Sequence, residues 1–174
     1  MQTTNFPARK PLTVYFDYAC PYCFHGVSDL LELLKEYPYF SVTWVPCEAH
    51  PLPEPAWVHS GLAGQAMLAV SALGGNVENF HEAVFFALFR EKKRIDSSRL
   101  LADLAAACGA DADKALEALD SGRYKADMEK NNRLVWSIRR FEAVPCYESG
   151  SRLLASHEDV LLSKEELAGF LRQL

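Results

Sequence analysis

No stretch of this 174-residue chain approaches the roughly 20 consecutive apolar residues of a membrane-spanning helix, so no span is expected. Positive charge is also scarce. Eighteen Lys and Arg stand against 23 Asp and Glu, a net −5, which argues against a broad nucleic-acid-binding face. The opening residues, Met1 to Pro7, have neither the basic flank nor the apolar stretch of a secretory signal. With Met1 as the native start, a cytoplasmic protein is expected. Cysteines are few and odd in number: Cys20, Cys23, Cys47, Cys108 and Cys146. They do not read as a disulfide scaffold, because a chain of this length builds a core without staples. Internal repeats and low-complexity segments are absent too.

Hydrophobic residues make up 49% of the chain, and a chain of this size buries about 70% of its unfolded surface, which fits one domain or one domain with a large insertion. Residues 12–17 (Leu-Thr-Val-Tyr-Phe-Asp) are rich in β-branched and aromatic types and predict a buried strand. From Cys20 the period changes. Cys20, Cys23, Phe24, Val27, Leu30, Leu31 and Leu34 recur at helical spacing, with Pro21 suited to a first turn and Tyr37-Pro38 closing the helix. A second strand is expected over 40–47, parallel to the first. Pro46, Pro51, Pro53 and Pro55 then make a connector.

The next stretch reads as helical: 62–73 before Gly74-Gly75, 77–92, 97–108 before Gly109, 113–119, and one long helix over 124–140. That last helix is expected to bury Tyr124, Met128, Asn131, Val135 and Ile138. Phe80, Phe85, Phe86, Phe89 and Trp136 read as core, and Glu91-Lys92-Lys93-Arg94 as a solvated helix end. Strand character returns at 146–148 and 152–155 around Ser149-Gly150-Ser151, and Ser163-Lys164-Glu165-Glu166 is a capping box opening a final helix. The fold class is therefore α/β, in the order βαβ…ββα with a large all-helical insertion. Residues 1–55 and 141–174 form the α/β part, and 56–140 the inserted helical subdomain.

Function is legible at Cys20-Pro21-Tyr22-Cys23. A cysteine at a helix start meets unsatisfied backbone N–H groups and the positive end of the helix dipole, both of which favour a thiolate. Cys23, one turn deeper on the apolar stripe, is placed to resolve a mixed disulfide formed at Cys20. The competing reading is half of a zinc site. It needs further ligands at characteristic spacing, and neither the other cysteines nor His25, His50, His59, His81 and His157 supply them, so no metal ligand is assigned. Pro145, in Ala143-Val144-Pro145, is compatible with an ordinary helix terminator and a trans bond.

The segments Asp17-Tyr18-Ala19-Cys20-Pro21-Tyr22-Cys23-Phe24, Trp44-Val45-Pro46-Cys47-Glu48, Phe85-Phe86-Ala87-Leu88-Phe89 and Val144-Pro145 give the chain a family likeness. It resembles the thioredoxin-fold proteins of the bacterial disulfide oxidoreductase A (DsbA) class. It looks closest to short cytoplasmic FrnE-like oxidoreductases, which are related to hydroxychromene-carboxylate isomerases and kappa-class glutathione transferases. The resemblance implies catalytic Cys20 and Cys23. It also implies a cis Val144–Pro145 bond facing them, with Pro21, Tyr22, Val144 and Pro145 contacting substrate.

The expected activity is thiol–disulfide exchange with disulfide-containing proteins or with glutathione as co-substrate, and no cofactor is implied. A glutathione-dependent isomerase or transferase is the alternative, and a non-catalytic peptide- or zinc-binding module the second. The strongly oxidising members carry Pro-His between the cysteines, whereas this chain has Pro-Tyr. That departure implies a weaker oxidant, at roughly −200 to −230 mV. His25 reads as a solvated surface residue. Cys146 reads as a small buried strand residue, its sharper reading being a third participating thiol, and Cys47 and Cys108 read as core. Asp17 either influences Cys23 or simply ends its strand. The physiological substrate, the direction of exchange and the oligomeric state are left open at this level.

Overall fold

A computed structural model of the chain describes residues 9–174, so the reading of Met1–Pro7 lies outside the described residues. Four strands, β1 (Lys10–Phe16), β2 (Phe40–Pro46), β3 (Cys146–Ser149) and β4 (Arg152–Ala155), form one mixed sheet in the order β2-β1-β3-β4. β1 runs parallel to β2 and antiparallel to β3, with Val14 opposite both Trp44 and Tyr147. Helix α1 (Pro21–Glu36) makes the β1-to-β2 crossover, and α7 (Lys164–Arg172) follows the β3–β4 hairpin. Leu12 and Val14 of β1 join Leu30 and Leu33 of α1 and Leu167 and Leu171 of α7 in one buried cluster. The expected capping box is present: the Ser163 hydroxyl accepts from the Glu166 N–H, and the Glu166 carboxylate accepts from the Ser163 N–H. Such caps contribute about 1 kcal/mol.

Between β2 and β3 run α2 (Gly61–Ala72), α3 (Val77–Phe89), α4 (Ser98–Ala107), α5 (Ala112–Asp120) and α6 (Lys125–Asn132). Gly74 and Gly109, at φ 75° and 89°, end α2 and α4 in the left-handed conformation that glycine adopts without a Cβ penalty. The inserted helices share their core with the sheet: Phe16 and Cys23 lie in the same buried cluster as Phe80, Phe85, Leu88 and Leu101. Phe16 sits at its centre, edge-on to Tyr18 and to His81 at 4.9 Å from each ring.

The single helix expected over 124–140 is instead α6 followed by a π-helical segment, Arg133–Ile138, in which the Arg139 N–H reaches the Leu134 carbonyl. The wider turn shifts the phase of the apolar stripe. Met128 and Val135 remain buried, but Ile138 is carried out to 62% exposure. Phe86, expected in the core, is exposed as well, because it lies on the α3 face opposite Phe80, Val84 and Leu88.

His81 is a fully buried imidazole on α3, bonded through Nδ1 to the Tyr18 hydroxyl at 2.8 Å. Burial pushes its pKa down to about 3. A neutral buried histidine stabilises the fold fully above the unfolded value near 6.5. Below that value it loses about 1.4 kcal/mol per pH unit until the folded pKa is reached. Asp17 opposes this trend, since burial raises its carboxyl and favours the protonated fold. The test is therefore a comparison of slopes. Between about pH 6.5 and 4, the melting temperature of the wild type is expected to fall more steeply with acid than that of His81→Phe. Parallel slopes would show that His81 carries no linked proton.

Candidate functional site

Cys20 is the N-cap of α1, with Pro21 as the first helical residue. Its sulfur takes the place of the oxygen of an ordinary cap and accepts the Cys23 N–H at 3.3 Å. As a thiol, Cys20 also donates to the Val144 carbonyl, 3.5 Å away across 124 residues of chain. Cys20 is half-buried, whereas Cys23 is fully buried and accepts the Asp17 N–H at 3.4 Å. The two sulfurs diverge in acidity. The Cys23 thiol donates to Cys20 and, aided by the Cys23 and Tyr22 N–H groups, holds Cys20 below the usual thiol range against burial and the Asp17 charge. Burial, followed by the hydrogen bond to Cys20 and its charge, raises Cys23 well above that range.

Three ties hold the surrounding loops. The buried Asp17 carboxylate accepts the Ala19 N–H and the Ala49 N–H, each at 2.8 Å, joining the β1–α1 turn to the segment after β2. Glu48 of that segment is gripped along its length. Its N–H donates to Asn132, its carboxylate accepts from the Asn132 amide, and its carbonyl accepts the Trp136 indole N–H at 2.8 Å. Asn132 immediately precedes the π-helical segment and Trp136 lies within it, which is how that irregular turn reaches the site. Third, Val144–Pro145 is a cis peptide, and the Ser156 hydroxyl donates to the Pro145 carbonyl. A second cis bond, Leu52–Pro53, was not anticipated from the sequence.

A cleft of about 420 Å³ opens at Cys20, and Tyr22, Trp136, Val144 and Glu142 are among the residues that line it. Of the residues singled out from the sequence, Cys20, Tyr22 and Val144 meet there. Cys23 lies beneath, Pro21 is exposed at the helix start outside the lining, and Pro145 packs against α1. His25 is exposed. Cys146 is buried and donates to the Ala143 carbonyl at 3.2 Å, and burial pushes its pKa up to about 11. Cys47 is buried, donates to the Phe16 carbonyl, and is likewise raised by burial. Both are poor nucleophiles at neutral pH. Among the described residues, no group of three or more His, Cys, Asp or Glu side chains is placed to share a metal ion.

Trp136, read as core, is a half-buried wall of this cleft. Gly26 was also missed. A Cβ there would come within 2.5 Å of the Tyr147 hydroxyl and 2.7 Å of the Pro145 ring, so this glycine lets the Val144–Pro145 segment lie against α1. A glycine inside a helix costs about 1 kcal/mol relative to alanine, and that cost was the available signal of a packing role.

A dithiol at the N-terminus of the first helix of a mixed β-sheet, facing a cis-proline segment, defines a thioredoxin-fold protein of the dithiol class. The family model for the DSBA-like thioredoxin domain matches residues 11–147, and the chain belongs to that family. It is 26% identical over 135 residues to the thiol:disulfide interchange protein DsbA of Pseudomonas aeruginosa, covering 76% of this chain and 60% of that protein. The chain thus spans about 60% of that relative's length. It is also 26% identical over 185 residues to YwbO of Bacillus subtilis, covering 86% of this chain and 92% of that protein. In fold it is similar to Chlamydia trachomatis DsbA, with a TM-score of 0.69 at 19% identity over 99% of this chain and 94% of that one.

Two outcomes follow from the site. Iodoacetamide is expected to alkylate Cys20 in the native protein with a midpoint below the free-thiol value of about 8.5. Cys23 should stay unlabelled, and mass mapping after digestion distinguishes the two. Gly26→Ala is expected to cost about 1–3 kcal/mol in urea unfolding through overpacking, despite alanine's better helix propensity. No loss would mean that Pro145 and Tyr147 yield freely.

Proposed function

We propose that the protein is a thiol–disulfide oxidoreductase working through the Cys20–Cys23 dithiol. The observation that carries this reading is the opposed shift of the two thiols: Cys20 lowered and half-exposed at a helix N-terminus, Cys23 raised and buried beneath it. In the reducing direction, the Cys20 thiolate attacks one sulfur of a substrate disulfide. A Cys20–substrate bond forms, the substrate S–S bond breaks, and the other substrate sulfur leaves as a thiolate that takes a proton. Cys20 then carries no charge, so its hydrogen bond and its charge no longer raise Cys23. Cys23 gives up its proton and attacks Cys20 as a thiolate; the Cys20–substrate bond breaks, the departing substrate sulfur takes up a proton, and an intramolecular disulfide closes, the two electrons having passed to the substrate. Run backwards, the same steps oxidise a substrate dithiol.

Tyr22, Val144 and the Val144–Pro145 segment would receive the substrate chain, with Pro21 at the exposed helix start. The partner is a disulfide-containing protein or glutathione, and an external thiol or disulfide of either kind resets the pair. Membership of the FrnE-like branch and a cytoplasmic setting are part of this reading; the setting is supported by the five cysteines, all of which are free thiols.

Tyr22 brings no cation to Cys20, unlike a histidine between the cysteines. The potential is therefore expected at about −200 to −230 mV, clear of the strongest oxidants near −120 mV. Equilibration in graded glutathione buffers with thiol trapping measures it. Cys20→Ser is expected to abolish exchange, and Cys23→Ser to accumulate a mixed disulfide at Cys20. Turnover surviving Cys20→Ser would sink the proposal.

A further inference from the structure

The rim of the cleft over Cys20 carries charge of one sign. Among the described residues, its lining includes Glu142, Glu158 and Asp159 and no Lys or Arg. Arg139, a few residues along the chain, is engaged by Glu148 of β3 and is not among the residues lining the cleft. His157, also in the lining, lies with Nδ1 2.9 Å from Glu142 Oε2.

The backbone that carries two of these acidic residues is ordered into a turn. Residues 157–160 form a tight turn in which the Val160 N–H donates to the His157 carbonyl at 3.2 Å and the two residues make an isolated antiparallel bridge. Glu158 and Asp159 occupy its two central positions, Asp159 with φ 59°, a left-handed conformation that aspartate tolerates. The turn is attached to the reactive segment, since the buried Ser156 hydroxyl immediately before it donates to the Pro145 carbonyl. Two acidic residues from one loop and a third from the segment before Val144 therefore line the cleft at which Cys20 opens. Tyr22 and Trp136 supply aromatic surface in the same cleft, where a guanidinium or ammonium group gains cation–π attraction.

Resting on the oxidoreductase reading above, we propose that this cleft selects its substrate by charge: its preferred partners are protein or peptide disulfides flanked by Arg or Lys, and glutathione disulfide is a poor one. Glutathione disulfide has twice as many carboxylates as ammonium groups, so it enters with net negative charge. At the dielectric of water, a unit charge about 6 Å from one carboxylate is favoured or disfavoured about threefold according to its sign. Several carboxylates acting together, reduced by screening, give a preference of about tenfold at low salt, within the range of electrostatic steering.

The test uses the full chain, reduced, at about pH 8. Stopped-flow rates of exchange are measured with two disulfide-linked peptides of one scaffold, one with Arg and one with Glu beside the cysteines, and with glutathione disulfide. The expected result is an Arg-to-Glu rate ratio of about ten or more at low ionic strength that collapses in about 0.5 M salt, with glutathione disulfide grouping with the Glu peptide. In Glu142→Gln/Glu158→Gln/Asp159→Asn, where asparagine retains the left-handed position, the ratio is expected to approach one. Equal rates for both peptides in the wild type, or a ratio that neither salt nor the triple variant changes, would overturn charge selection while leaving the oxidoreductase reading intact. Should the triple variant not fold, the salt dependence of the wild-type ratio still decides. Failure to exchange with any of the three disulfides would remove the oxidoreductase reading itself, and charge selection with it.

Discussion

The structure is organised around one sulfur that serves as a helix cap. Cys20 accepts the N–H of Cys23 in the position where serine or aspartate ordinarily sits, and it meets the Val144 carbonyl on its other side. A cap is useful to a helix only if it carries negative charge or a lone pair toward the N-terminal N–H groups, and a thiolate does so better than a thiol. The folding of α1 and the ionisation of Cys20 therefore favour each other. Cys23, three residues on, faces inward on the same helix, where burial keeps it protonated and lets it donate to Cys20. The asymmetry between the two thiols follows from one being at the rim and the other one turn into the core.

That geometry persists because segments distant in sequence are tied together around it. Asp17 bridges the turn before Cys20 to Ala49 after β2. Glu48, next to Ala49, is clasped by Asn132 and Trp136 on the far side of the helical insertion. Gly26 makes room for Pro145, and Ser156 holds the Pro145 carbonyl from beyond β4. Each of the hydrogen-bonded ties satisfies a polar group that would otherwise be costly in a half-buried site, since a buried unpaired donor or acceptor costs about 1–3 kcal/mol. The insertion is thus a working wall of the site. Its core is continuous with that of the sheet, and its π-helical turn delivers Trp136 to the cleft.

The remaining cysteines show how burial separates reactive from inert sulfur in one chain. Cys47 and Cys146 both lie on strands or strand ends near the dithiol, yet each donates to a backbone carbonyl and is raised by burial. Cys20 alone combines partial exposure with donors aimed at its sulfur. Position on a helix terminus, and not proximity to the cleft, sets the chemistry.

The amino-acid order by itself determined the βαβ start, the helical middle, the hairpin and the last helix, because periods of two and 3.6, glycine stops and a capping box are local signals. It also pointed to Cys20 and Cys23, since two cysteines one turn apart at a helix start make a chemical device within a single element. Beyond the parallel pairing of β1 with β2 and the approach of Val144–Pro145 to the cysteines, which were expected, tertiary structure decided which distant segments meet. The π turn shifted the phase of a stripe that the sequence showed as regular, taking Ile138 outward and making Trp136 a cleft wall. The acidic rim joins Glu142 to Glu158 and Asp159 across β3 and β4, and no spacing rule connects them. Periodicity reports which face of an element is buried. Which loops share a cleft depends on sheet order and on long-range hydrogen bonds, and those exist only in the folded chain.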